Sequence, residues 1–101
     1  MKVTKKDLEI GMRFECIEDF KCQPVWFENV DSKEYATEIA FGNDALLEVG
    51  DTVTVTEKCR KYYCGHGYTG DMVFFKINGH EEAGEHVMFW INFKKHTNFV
   101  K

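Results

Sequence analysis

The sequence predicts a mostly-β, single-domain protein with at most one short helix. Three observations lead there. Apolar residues alternate with polar ones in short runs bounded by glycine, asparagine and aspartate, the pattern of half-buried strands. Fifteen aromatic residues stand among 101 positions, several as adjacent pairs, and aromatic side chains favour the pleated surface of a sheet. The length suits one domain around one core. Eight glycines and one proline are too few for a disordered or collagen-like chain, and no run of 18 apolar residues exists to span a membrane.

The first element is announced by an internal echo. Leu8-Glu9-Ile10-Gly11-Met12-Arg13-Phe14-Glu15-Cys16 returns 39 residues later as Leu47-Glu48-Val49-Gly50-Asp51-Thr52-Val53-Thr54-Val55. In each copy the glycine suits a tight turn with positive φ, and Phe14/Cys16 or Val53/Val55 then alternate as a strand. Each copy reads as a turn feeding a strand, either the record of a duplication or two uses of a common β-barrel entry turn; two copies are too few for a solenoid. Between them, residues 17–46 read as an acidic insertion. Within it, 31–41 fits either a short helix (Tyr35, Ala36, Ile39 and Ala40, with Gly42 as stop) or a strand (Tyr35, Thr37, Ile39, Phe41). Alanine and glutamate favour the helix. Downstream, Arg60 to Tyr63 reads as the end of the Val53 strand, and Gly65 to Gly70 as a turn. Asp71 to Asn78 reads as a largely buried strand, followed by a polar loop to Glu85 and a second strand from His86 to Ile91. Residues 92–96 then close one helical turn before a last strand over Thr97 to Val100.

The Leu47, Gly50, Asp51, Val53, Val55 lead, the aromatic penultimate strand Phe89, Trp90, Ile91, the one-turn link and the last strand resemble SH3-like small β-barrels, including the KOW-like ones. The resemblance covers residues 47–101 and implies a single small barrel elaborated by 17–46. Short, aromatic-rich chains with such turns also resemble small accessory proteins of tailed bacteriophages. That likeness implies a protein that docks on a host or viral protein and modulates it.

Charge narrows the partners. Residues 1–50 carry six basic and eleven acidic groups, and 51–101 carry seven and six, giving the net −4. The acids concentrate at Glu28, Asp31, Glu34, Glu38, Asp44 and Glu48 against the lone Lys33. An acidic chain repels phosphate backbones, so another protein is the expected partner. The basic N-terminus lacks the apolar stretch of a secretory signal, and four cysteines without one point to free thiols in the cytoplasm.

Chemistry-bearing motifs are sparse. Cys59, Cys64 and His66 are zinc-type ligands, yet four intervening residues fit a knuckle turn poorly, and Cys16 and Cys59 serve equally as small core residues. Cys16 and Cys22 are too far apart for such a turn, and Phe20-Lys21 between them suggests a loop. Cys64 near Arg60, Lys61 and His66 has the makings of an activated thiol but no oxyanion hole or orienting group by spacing. No nucleotide-binding, metalloprotease or nucleophile-elbow motif occurs, so a non-enzymatic protein needing no cofactor is expected.

The aromatic surplus is the main positive signal. Trp26-Phe27, Tyr62-Tyr63, Phe74-Phe75 and Phe89-Trp90 place neighbouring rings on opposite faces if they lie on strands. The outward rings either form an interface or pack in a second, minor core. Trp26, Phe27, Tyr62, Tyr63 and Trp90, with Glu34 and Glu38, are therefore the candidate protein-binding residues. Lys58, Arg60, Lys61, Lys94 and Lys95 offer the alternative: a local basic edge beside aromatic rings, suited to stacking single-stranded nucleic acid.

Overall fold

The computed structural model describes residues 3–26, 38–39, 45–57, 60–63 and 69–100, with the backbone alone at 23–26, 38–39, 60–63, 69 and 83. A 3-10 turn at Lys5–Asp7 precedes nine strands: β1 (Arg13–Cys16), β2 (Phe20–Trp26), β3 (Glu38–Ile39), β4 (Ala45–Leu47), β5 (Thr52–Val55), β6 (Arg60–Tyr63), β7 (Thr69–Ile77), β8 (His86–Phe89) and β9 (Thr97–Val100). Among the described residues one α-helix, α1 (Trp90–His96), links β8 to β9. The mostly-β expectation with one short helix is met.

All pairings are antiparallel, in the order β3-β2-β8-β7-β5-β1-β9, with β4 on β2 and β6 on β7. Among the described residues no pairing joins β3 to β9, so the described sheet is an open path and not the closed barrel the sequence suggested. Residues 17–46 are woven into this path: β2 pairs with β8, β4 and β3 along its length. Cys22 therefore sits on a strand opposite Ala45, where the sequence suggested a loop. Glu38 and Ile39 are strand, not helix, because Ile39 and Glu38 pair with Val25 and Trp26. The rest of 31–41 lies outside the described residues.

The two copies of the echo meet face to face. Gly11 and Gly50 adopt φ of 97° and 99°. Their strands β1 and β5 pair so that Phe14 faces Val53, its own counterpart 39 positions on. Around that pair the hydrogen bonds are reciprocal. Gly11 N–H donates to the Val55 carbonyl and Gly50 N–H to that of Cys16, while Val55 N–H donates to Met12 and Cys16 N–H to Asp51. Leu8 and Leu47 are both buried, as are Cys16 and Val55. The relation extends outward: Ile17 N–H donates to the His96 carbonyl beside β9, as Thr56 N–H does to Phe74 on β7. An approximate two-fold axis through Phe14–Val53 thus relates β1 to β5 and β9 to β7.

The core lies on the face carrying Phe14, Val53, Val73, Phe75 and Ile77, and α1 closes one end of it by burying Phe93. Phe93 meets Phe14 edge-on at 4.9 Å and Phe75 at 5.6 Å. Met72, Phe74 and Val87 are buried outside this cluster, Phe74 directly opposite Val87. Phe74 and Phe75 are thus both interior, one on each face of a central strand. The Phe89-Trp90 pair does not alternate on a strand: β8 stops at Phe89 and Trp90 opens α1. The helix begins there because Trp90 and Phe93, three residues apart, stack on one another at 6.2 Å while Ile91, Asn92, Lys94 and Lys95 face solvent. It ends at Thr97, whose N–H and hydroxyl both reach the Phe93 carbonyl. Likewise Arg60–Tyr63 is a separate strand laid on the first half of β7, not the end of β5.

Two predictions follow from this architecture. Neither turn glycine has an atom within 4 Å of the place a Cβ would take. Gly11→Ala and Gly50→Ala therefore cost only the backbone penalty of positive φ, about 1–2 kcal/mol each, and by symmetry nearly the same amount. Urea denaturation of both variants checks this; a neutral or strongly unequal pair contradicts the shared turn geometry. The second concerns His86, which is 2 % exposed, stacked on Phe75, with no partner for Nδ1. Burial pushes its pKa below the ordinary 6.5, the Gly84 backbone pulling weakly the other way. The unfolded chain then takes up a proton that the native state refuses. This contribution to stability is complete above pH 6.5 and declines as pH falls below it, by up to about 1.4 kcal/mol per pH unit. Across this range the melting temperature of wild type should fall relative to that of His86→Phe as pH drops; parallel curves contradict it.

Candidate functional site

An open groove of about 660 Å³ is built from several elements, the N-terminal segment, α1 and β9. Its floor is the outer rim of the core. Phe14 and Phe99 lie opposite each other on β1 and β9, their rings 5.6 Å apart, and Trp90 stands beside them at the head of α1. Phe99 and Trp90 are half-buried, packed on the core on one side and open on the other.

The rim is basic. Val3, Thr4 and Lys5 form one wall, Lys94 and Lys95 the other, and no carboxylate lines the groove. Helix periodicity sets this: with Phe93 inward, Lys94 and Lys95 must project outward over the floor's edge. Lys5 is held by Asp71 at 2.8 Å, which ties the N-terminal segment to β7. The Asp7 carboxylate accepts from the Thr4 N–H (3.0 Å) and hydroxyl (2.8 Å), fixing the bend that carries Thr4 and Lys5; these bonds lower its pKa. No described acidic group pairs with Lys94 or Lys95. Among the described residues the groove is thus lined by three lysines, of which Lys5 is paired with Asp71.

The groove also borders a sheet edge. β9 pairs with β1 on one side, and no described strand lies on the other. Since Ile17 donates to His96, even-numbered residues of this segment bond to β1, and the alternation turns the N–H and C=O of Phe99 outward.

The sequence-derived candidates divide accordingly. Trp90 lies in the groove with Lys94 and Lys95, uniting one member of the aromatic set with two of the basic set. Tyr62, Tyr63, Arg60 and Lys61 lie on β6, opposite Gly70, Thr69, Met72 and Asp71 of β7. Trp26 and Glu38 pair across β2 and β3. Phe27, Glu34, Lys58, Cys59, Cys64 and His66 lie outside the described residues. Val3, Lys5, Phe14 and Phe99 were not singled out by sequence. Phe14 and Phe99 look like ordinary strand residues, and only their register brings them together at a surface.

Chemistry is limited here. Cys16 and Cys22 are free and buried; desolvation raises the Cys16 thiol pKa, keeping it protonated, and its Sγ lies 3.1 Å from the Glu18 carbonyl. Both act as small core residues. Among the described residues no three His, Cys, Asp or Glu side chains gather as a metal site, and no helix is long and apolar enough to cross a membrane. No protein-family model, curated protein or solved structure matches this chain.

Proposed function

We propose that the chain is a non-catalytic module that binds another protein through the groove between α1, β9 and the N-terminal segment. The observation that supports this reading is an aromatic floor and a lysine rim on an otherwise acidic chain. Tryptophan beside a charged rim is the composition of interface hot spots, where a ring fills a dry contact and flanking charges set orientation. A net charge of −4 argues against a long polyanion, because only the groove's few lysines offset the general repulsion. Buried, unbridged Cys16 and Cys22 accord with a reducing, cytoplasmic setting.

Lys94 and Lys95 are exposed, so Lys94→Glu/Lys95→Glu reverses the rim without touching the core. Immobilised wild-type protein is expected to retain a defined partner from nuclease-treated bacterial lysate, and the double variant, with unchanged melting temperature, to lose it by about tenfold or more. Equal capture by both proteins, or capture abolished by nuclease alone, contradicts the reading.

A further inference from the structure

We infer that the groove is a strand-addition site: an extended, acidic segment of a partner protein pairs its backbone with the outer edge of β9 and sets its carboxylates against Lys94 and Lys95. The inference rests on the binding-module reading and gives that module a partner chemistry and a geometry.

Three independent observations converge on it. The first is the outer edge of β9: Phe99 directs its N–H and C=O away from β1, toward a side where no described strand lies, and a strand edge of this kind is completed by main-chain hydrogen bonds from an extended peptide. The second is the approximate two-fold. It relates β9 to β7, and β7 carries β8 on the side away from β5, whereas no described strand occupies the equivalent side of β9. The fold thus continues across one half and stops at the other. The third is charge and shape. A peptide residue opposite Phe99 turns its side chain onto the Phe14–Phe99–Trp90 floor, and its neighbours alternate away. An apolar residue there meets aromatic rings, and acidic residues two positions away, on the same face, come within reach of Lys94 and Lys95, with Lys5 on the opposite wall already satisfied by Asp71. The groove's lysines exclude a basic segment for the same reason.

The test uses the full chain, labelled with ¹⁵N, and a synthetic capped peptide of about eight residues. That length overruns β9 at ~3.3 Å per residue. The peptide alternates glutamate and valine about a central phenylalanine. Binding should slow amide exchange at Phe99 by about tenfold or more and give cross-strand contacts between the peptide and β9. Lys94→Glu/Lys95→Glu should weaken it about tenfold at low salt, and N-methylation of the peptide's pairing amides should abolish it. Equal binding of the N-methylated peptide, or of a version with lysine for glutamate, overturns the inference. So does tighter binding of oligothymidylate at the same residues, or concentration-dependent protection of Phe99 in the free protein, which marks edge pairing between copies of this chain. No peptide binding, with lysate capture still dependent on Lys94 and Lys95, overturns strand addition and leaves the module reading standing; loss of both overturns both.

Discussion

Everything in this fold is referred to one pairing, that of β1 with β5. Each strand is launched by a glycine turn, and the N–H of each turn glycine is taken up by the far end of the other strand, Gly11 by Val55 and Gly50 by Cys16. Turn and strand therefore stabilise one another across the axis. Because Phe14 faces Val53, the same register aligns the buried side chains of both strands on a single face. The outer strands inherit the arrangement: β7 is added to β5 and β9 to β1 by equivalent bonds from Thr56 and Ile17.

The site is a by-product of where the equivalence ends. On the β5 side the sheet goes on through β7 to β8 and β2, with buried rings on both faces. On the β1 side it stops at β9, and the helix that delivers β9 leaves Trp90 and two lysines at the margin. A short amphipathic helix with one buried aromatic cannot also hide its neighbours. The exposure of Lys94 and Lys95 is thus a cost of seating Phe93 between Phe14 and Phe75. Most acidic residues fall on other segments of the sequence, and a chain that is negative overall gathers lysines at this margin.

Much of the framework was legible in the sequence. The echo located both glycine turns and both central strands, because positive φ and period-two alternation leave local marks. The Thr97–Val100 strand and the helical turn before it were likewise readable. Other features depend on contacts distant in sequence. Phe89 and Trp90 look like two strand residues, and the break between them arises from the stacking of Trp90 on Phe93. Phe74 looks as though it should face solvent, but β7 is central and lies between two buried layers. Cys22 belongs to a strand because Ala45 lies across from it, a fact no local pattern records. The groove was half legible: Trp90, Lys94 and Lys95 were visible by residue type, while Phe14, Phe99 and Lys5 join them through register and an ion pair to Asp71.

The interlocked turns also bear on how the chain reaches this state. Neither lead-in can satisfy its glycine N–H until a segment some forty residues away has arrived, so the β1–β5 pairing has no local hairpin as its starting point. Closing that loop costs entropy before any hydrogen bond is gained, and contacts of such separation slow the search. Once closed, the two halves cannot open separately, since freeing either turn strips the other. The central pair should therefore be the last part of the molecule to exchange its amides and the first to commit it to folding, whereas the β9 margin, where no described strand lies on the outer side, answers to something else.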